Sequence, residues 1–521
     1  MGSISMPFKI LALAPFAMEQ QEAWTEAPLP VELPDLDQVI SRLGVSGYFP
    51  VPNDLCPAGG VEIRISRLKE FHPDALIQST PYLSHLLAAR EILSNKQLTA
   101  AEKKQRLAEW PDLPDLPIAE ETANTTPKAD GGLDNILSMV AMPDEASDGE
   151  KARDLSASAN VDAIIQSVLC RVYEFESFRD AEAAWRGVKL LLQQGAGANG
   201  DFRLEIVPVN ADTLADTIGA LTVRLVNDLP SLILVDLPFD NTANSTAMLE
   251  KVAQFAEMLM APAIVWASPR LLDLDTWTEL GRLAFIPHHL DAPHFAKFNR
   301  LKAQSEASWV ALACNRVLSR YAYGSENRPK IIPFEETGHA WLSPVWPLAA
   351  LILKSFTETG WPTRFTDWQS CQIGDLPVHF IDSKTVAPAE ALISEDRLDQ
   401  CRRAGLMPIA VKANRDVAFV PIETTLGGAS LAYQLFAARV TQLLLWSRDN
   451  LAPDLTGPAL EAELNRVFEY FWQKSGHSGP EVIEIIAGQP DNENRIPLKI
   501  DLQPSRRILP SGEGLTLEFS W

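Results

Sequence analysis

The chain has 521 residues, with 45 lysines and arginines against 68 aspartates and glutamates, for a formal net charge of −23. At 46% apolar and 22% charged residues it has ordinary globular composition, which excludes a wholly disordered chain and leaves material for about two to four domains. So acidic a balance also excludes nucleic acid as the main partner, because phosphate binding needs a basic face.

The apolar run from Phe8 to Met18 is interrupted by Lys9 and Pro15 and has no basic lead-in, so it does not read as a secretory signal. Met6 stands where a myristoylation motif has Ser or Thr. No uncharged apolar run is long enough to cross a bilayer as a helix. The five cysteines (Cys56, Cys170, Cys314, Cys371 and Cys401) are widely spaced and form no CxxC pair. This pattern predicts neither a disulfide framework nor a zinc ribbon, but a reduced cytoplasmic protein that is not membrane-embedded.

In chain order, KILALA (9–14) predicts a buried strand, and Val61, Ile63 and Ile65 alternate with polar residues as a half-buried strand does. Pro73 opens a helix whose apolar face continues through Leu76, Leu83, Leu86, Leu87 and Ile92. Residues 111–160 hold eleven acids against three bases and read as a linker. Within it Leu133, Ile136, Leu137 and Val140 fall at helical spacing. On spacing alone this island is either a docking helix or a nascent helix with no role.

From residue 161 the pattern becomes βαβ. Helices are predicted over 161–173 and 181–194. Strands over 202–209, 231–238 and 261–268 alternate with helices over 212–228 and 247–260. LILVD is near-continuously apolar, as a strand covered on both faces is. The expected fold class is therefore α/β with a mostly parallel sheet. Beyond Trp309 the pattern is mostly helical until Phe356, then short strands are expected at 375–382, 408–413 and 417–423. Helices at 430–446 and 457–473 follow. Three alternating strands at 482–488, 496–504 and 515–521 close the chain, one face wet.

Chemistry-bearing patterns are few. His288, His289 and His294 sit among prolines without HExxH spacing and read as a loop. GHSG (476–479) lacks the nucleophile elbow, and QQGAGANGD (193–201) lacks a phosphate-loop lysine. Asp236 and Asp240 end an apolar strand, with Asp240 read as a helix N-cap before Asn241–Asn244. No catalytic residue, cofactor or metal is expected.

Several stretches carry a resemblance. FESFRDAEAAWRGVKLLLQQ (175–194) resembles the entry segment of the large sheath subunit of type VI secretion systems, TssC, with Phe178, Glu182, Trp185, Arg186, Gly187 and Leu190 in its places. Further stretches resemble that family in order: 252–272; 305–324, with Arg316, Arg320, Tyr323 and Gly324 but Asn315 for the usual Pro; FEE (334–336) and Trp341; 374–382; and the tail from Ile496. Residues 7–93 resemble the small sheath subunit, TssB, through Pro7–Phe16, Val39–Leu43, Glu62–Ile65, Phe71, Pro73–Asp74, Pro81, Leu86–Leu87 and Arg90.

The resemblance implies a small subunit (1–110) fused through the acidic linker (111–160) to a large subunit (161–521), where most of the family has two chains. It implies a structural role, with no enzyme activity, in a contractile sheath that polymerises helically with copies of itself around an inner tube of Hcp type and on baseplate proteins. Neighbouring copies would exchange terminal strands by β-augmentation through Ile496, Leu498, Ile500, Leu515, Leu517 and Phe519. Leu133, Ile136 and Leu137 would be engaged by a disassembly ATPase of ClpV type. Phe178, Trp185, Arg186, Gly187, Arg320 and Gly324 would be structural. The rival readings are a non-contracting baseplate or assembly component, an α/β enzyme with a regulatory arm, and a soluble carrier or adaptor in a related contractile injection machine.

Overall fold

Strand β1 (Phe8–Ala14) is buried along its whole length and pairs in parallel with two strands at once, β5 (Phe202–Pro208) and β6 (Leu232–Phe239). An unbroken apolar run is what a strand covered on both faces requires. Its one charge, Lys9, is matched by Glu205 at 2.9 Å and Asp228 at 2.6 Å, as a buried ammonium must be. The computed structural model describes residues 6–116, 145–198 (145–157 as backbone), 201–452, 455–491 and 495–521.

β1 is an inner strand of a seven-stranded sheet in the order β13-β8-β7-β6-β1-β5-β2, completed by β2 (Leu29–Val31), β7 (Ala263–Ala267), β8 (Val310–Cys314) and β13 (Leu406–Pro408). Every neighbouring pair is parallel except the edge pair β2–β5. The helices Leu214–Leu225 and Ala243–Met258 make the crossovers after β5 and β6. The expected α/β class with a mostly parallel sheet is what the chain forms.

The chain divides into two compact units that do not follow its linear order. The first is Met1–Val39, Asp180–Tyr321 and Ala340–Trp521; the second is Ile40–Arg179 and Ala322–His339. The first holds the seven-stranded sheet. It also holds a separate antiparallel sheet of β16 (Val482–Ala487), β17 (Pro497–Gln503) and β18 (Leu515–Ser520), with β17 in the middle. The second unit pairs β3 (Val45–Pro50) with β4 (Gly60–Ile65) and packs the helix Pro81–Ser94 against the helix Glu145–Glu174.

Local expectations fail in identifiable ways. The stretch after Trp309, expected to be helical, gives β8, then β9 (Val317–Arg320) and β10 (Ala340–Leu342), before the helix Val345–Thr359. VALAC is too short an apolar run for periodicity to separate strand from helix, and its place between β7 and β13 decides for strand. The helix from Pro73 breaks into Pro73–Ser79 and Pro81–Ser94, because Pro81 holds Thr80 extended (φ −89°, ψ 118°). The helix expected from Val161 begins at Glu145, since the end of the acidic segment is rich in helix formers. The strands expected at 375–382, 408–413 and 417–423 shrink to the two-residue strands β11 (His379–Phe380), β14 (Ala410–Val411) and β15 (Ala418–Phe419); β11 pairs with β12 (Val386–Ala387), and β14 with β15.

Candidate functional site

In the first unit, Trp185, Arg186, Gly187 and Arg320 converge on one buried assembly. Glu182, one turn before Arg186 on the helix Glu176–Gly195, accepts two hydrogen bonds from Arg320, at 2.7 and 2.9 Å, and one from Arg186 Nε at 2.9 Å. Glu182 is 2% exposed and Arg320 8%, so a fork-to-fork pair stands where a lone charge would be intolerable. Burial pushes the Glu182 carboxyl up, and the two guanidinium groups outweigh it and hold it below its ordinary value.

Trp185 Nε1 donates to the Phe16 carbonyl at 3.0 Å, and the two rings lie 5.0 Å apart. Gly187 faces the Trp346 indole, whose Nε1 donates to Asp236 Oδ2 at 2.6 Å. Asp236 lies inside β6 rather than at its end, with Leu237, Pro238 and Phe239 following it in the strand, and is 7% exposed; burial raises its pKa, and the hydrogen bonds to it only partly offset that. It is thus a walled-in core acid within a strand. Sequence reasoning missed Trp346 and Phe16 as partners; the one available signal was Gly187, a helix-interior glycine that asks for a close neighbour.

Phe178 and Gly324 belong to the second unit. Phe178 lies in an aromatic cluster, 5.0 Å from Tyr173, 5.4 Å from Phe71 and 6.0 Å from Phe49 between ring centres. Gly324 N–H donates to the Asn327 carbonyl at 3.3 Å, within the turn that follows Tyr323.

Asn315, the departure from the family's proline, is fully buried at φ 71°, a backbone that proline cannot adopt. Its amide donates to the Ala391 carbonyl at 3.0 Å and the Ile409 carbonyl at 2.8 Å, and its side-chain oxygen accepts from Ala391 N–H at 3.0 Å.

Asp240 is not the N-cap. Thr242 caps the helix Ala243–Met258 by accepting from Ser245 N–H, and Asp240 accepts from the Thr242 N–H and hydroxyl as a preceding Asx turn. His288 and His289 lie on the short helix Ile286–His289 rather than in a loop, because Pro287 suits a first helical turn. His289 and His294 both approach Asp273, at 3.4 and 2.9 Å. Among the described residues no group of three or more His, Cys, Asp or Glu is placed to hold a metal ion.

In the terminal sheet, Ile496, Leu498, Ile500 and Leu515 are buried, while Leu517 and Phe519 are half-buried. β17 is bonded on both sides, so Leu498 and Ile500 lie on an inner strand. The outer edges belong to β16, with Val482 and Ile486 exposed, and to β18. Leu133, Ile136 and Leu137 lie outside the described residues. Among those described, no helix is long and apolar enough to cross a membrane.

Residues 2–109 match the family model described as Type VI secretion system, VipA, and residues 230–426 match that of VipB (EvpB), tail sheath N-terminal domain. Both matches are to type VI sheath families, VipA-type first and VipB-type after it. A curated relative, the type VI secretion system sheath protein TssC1 of Pseudomonas aeruginosa, is 23% identical over 297 residues, 50% of this chain and 59% of the relative. The chain thus spans about three-fifths of the length of the curated relative that it matches. Among solved structures, it aligns with the baseplate of the anti-feeding prophage at 13% identity and a TM-score of 0.33, covering 65% of this chain and 76% of the other. It aligns with the contracted helical sheath of the same particle at 14% identity and a TM-score of 0.31, covering 64% and 77%.

The VipA-type match contains β1 and β2, and the VipB-type match contains β6, β7, β8 and β13. The two meet in the β1–β6 ladder, from Ile10 opposite Leu232 to Leu13 opposite Val235.

Proposed function

We propose that this chain is the repeating structural subunit of a contractile type VI secretion sheath, supplying both sheath components in one polypeptide. The observation that carries the reading is the β1–β6 ladder, which makes a VipA-type strand an inner member of the sheet that holds the VipB-type strands. Copies would polymerise helically in the cytoplasm around an inner tube of Hcp type and on baseplate proteins, through a head-to-tail contact that does not close. The role needs no bond-making chemistry in the chain.

The joints between copies would be extended segments added at the free edges of β16 and β18. Each main-chain hydrogen bond contributes about 0.5–1.5 kcal/mol net, so one added strand is worth a few kcal/mol and a lattice of many copies a great deal. Contraction would be the relaxation of an extended lattice to a compact one with these strands as hinges. The segment with Leu133, Ile136 and Leu137 would engage a ClpV-type disassembly ATPase. The full domain scheme is 1–110 small-subunit type, 111–160 linker and 161–521 large-subunit type.

The test is negative-stain electron microscopy of the purified full-length protein. Long hollow tubes are expected; discrete particles of fixed size would favour a baseplate or assembly component.

A further inference from the structure

The first unit contains a cleft of about 770 Å³ where the C-terminal ends of the helices Val345–Thr359 and Gly457–Lys474 meet the flank of the helix Leu431–Asn450. In a chain of net charge −23 its lining is basic: Arg364, Arg439, Lys474 and Arg507 against Asp201 and Glu358. Most of these charges are answered. Arg364 is held by Asp367, Lys474 lies 3.6 Å from Asp201, and Lys354 lies 3.9 Å from Glu358. Five cations therefore face three carboxylates, and the two helix C-termini offset roughly half a charge each, which leaves the cleft positive.

The excess sits on Arg439 and Arg507, neither of which has a carboxylate within 4 Å among the described residues. Arg507 is exposed at the rim. Arg439 is 3% exposed in the wall, with its guanidinium 5.4 Å from the Phe356 ring and 5.7 Å from the Phe471 ring. It donates to the Met6 carbonyl at 3.0 Å and, more distantly, to the Pro7 carbonyl at 3.4 Å and Gln442 Oε1 at 3.5 Å; its Nε has no partner. Burial pushes its pKa down to about 10, so it remains charged at neutral pH. A buried guanidinium whose hydrogen-bond acceptors are all neutral, with Asp201 acting on it only at longer range, is suited to an anionic counterpart from outside.

We propose that this cleft is an oxyanion-binding site, in which Arg439 and Arg507 with Lys474 take a multiply charged carboxylate or phosphate. The cleft is far larger than one phosphate and has hydroxyls at Thr357, Thr359 and Ser475, so it suits a ligand that presents several oxyanion groups. The shared chemistry has two sources: a free polyanion, or the side chains of an acidic segment of a second copy. This reading is independent of the sheath function.

The test is isothermal titration of the full-length protein with sodium tripolyphosphate and with citrate, at ionic strength matched by sodium chloride. Saturable binding is expected for wild type, weakened about tenfold in Arg507→Glu, a rim change that leaves the packing intact. Arg439→Met, which keeps an apolar stem between the two rings, should abolish it. Absence of saturable binding, or equal affinity in Arg507→Glu, overturns the proposal. Sedimentation velocity with and without tripolyphosphate separates the sources. Dissociation of wild-type assemblies by tripolyphosphate, with Arg507→Glu already less assembled in its absence, assigns the site to a second copy, and binding without any change in assembly assigns it to a free polyanion.

Discussion

Gly187 lies so close under the Trp346 indole that a β-carbon on it would stand 2.1 Å from Trp346 Cδ2. The side chain that glycine lacks is the space that lets the helices Glu176–Gly195 and Val345–Thr359 approach. A helix-interior glycine costs about 1 kcal/mol relative to alanine, so Gly187→Ala would be stabilising if nothing were near. It is expected instead to destabilise by about 1–3 kcal/mol through overpacking in urea unfolding, and the same change should cost less on a Trp346→Leu background than on wild type. A Gly187→Ala protein as stable as wild type would contradict the close approach.

Asn315 makes three side-chain hydrogen bonds at a left-handed backbone position. Asn315→Ala leaves two carbonyls and one N–H to find other partners and is expected to cost about 2–4 kcal/mol. Asn315→Pro should cost more, because its ring fixes a φ of the opposite sign. Thermal melts that rank the two in the reverse order would argue against this account.

The Glu182 carboxylate, held below its ordinary value by two arginines against the effect of burial, gives the fold an acid limit. The stability it supplies is present above the unfolded-state pKa near 4.5 and is lost as pH falls through the lower native value. Glu182→Gln is expected to lower stability at pH 7 by about 3–5 kcal/mol and to lessen the loss between pH 7 and pH 3, in denaturant titrations at each pH. An unchanged acid slope would remove Glu182 from that role.

Asp236 has the opposite sign. Burial raises its pKa, so the folded state favours the neutral acid, and this contribution fades as pH rises from 3.8 through the raised native value. Asp236→Asn keeps an oxygen acceptor for Trp346 Nε1 and does not ionise. The variant is expected to gain on wild type as pH increases, read as the difference in Tm across pH 4–9. A difference independent of pH would show that the carboxyl does not titrate within the fold.

Removal of Leu515–Trp521 deletes β18 and uncovers β17, leaving the seven-stranded sheet with all its strands. The truncated protein is expected to keep the far-ultraviolet circular dichroism of a folded α/β chain while forming no tubes in electron micrographs. Tubes of normal appearance from this variant would end the strand-exchange reading of the terminus.

What the sequence made legible was local. The unbroken apolar runs of β1 and β6 and the helices between strands gave the class and the parallel sheet, and the glycine and charged residues around Trp185 marked a packed core. What stayed hidden depends on partners distant along the chain. Nothing in KILALA says that its neighbours are residues 202–208 and 232–235, because a doubly covered strand carries no record of which strands flank it. Trp346 and Asp236 were unreadable as a pair for the same reason, being 110 residues apart. Pro81 is a legible helix break, and the strong apolar periodicity on either side of it masks that signal.

The position of β1 bears on supply as well as on architecture. Two separately made components must be produced in matched amounts and must find each other before a sheet can close. Here the ribosome delivers both in equal number, and residues 8–14 reach their slot by folding rather than by encounter. Within this chain, neither segment of the sheet is ever made without the other.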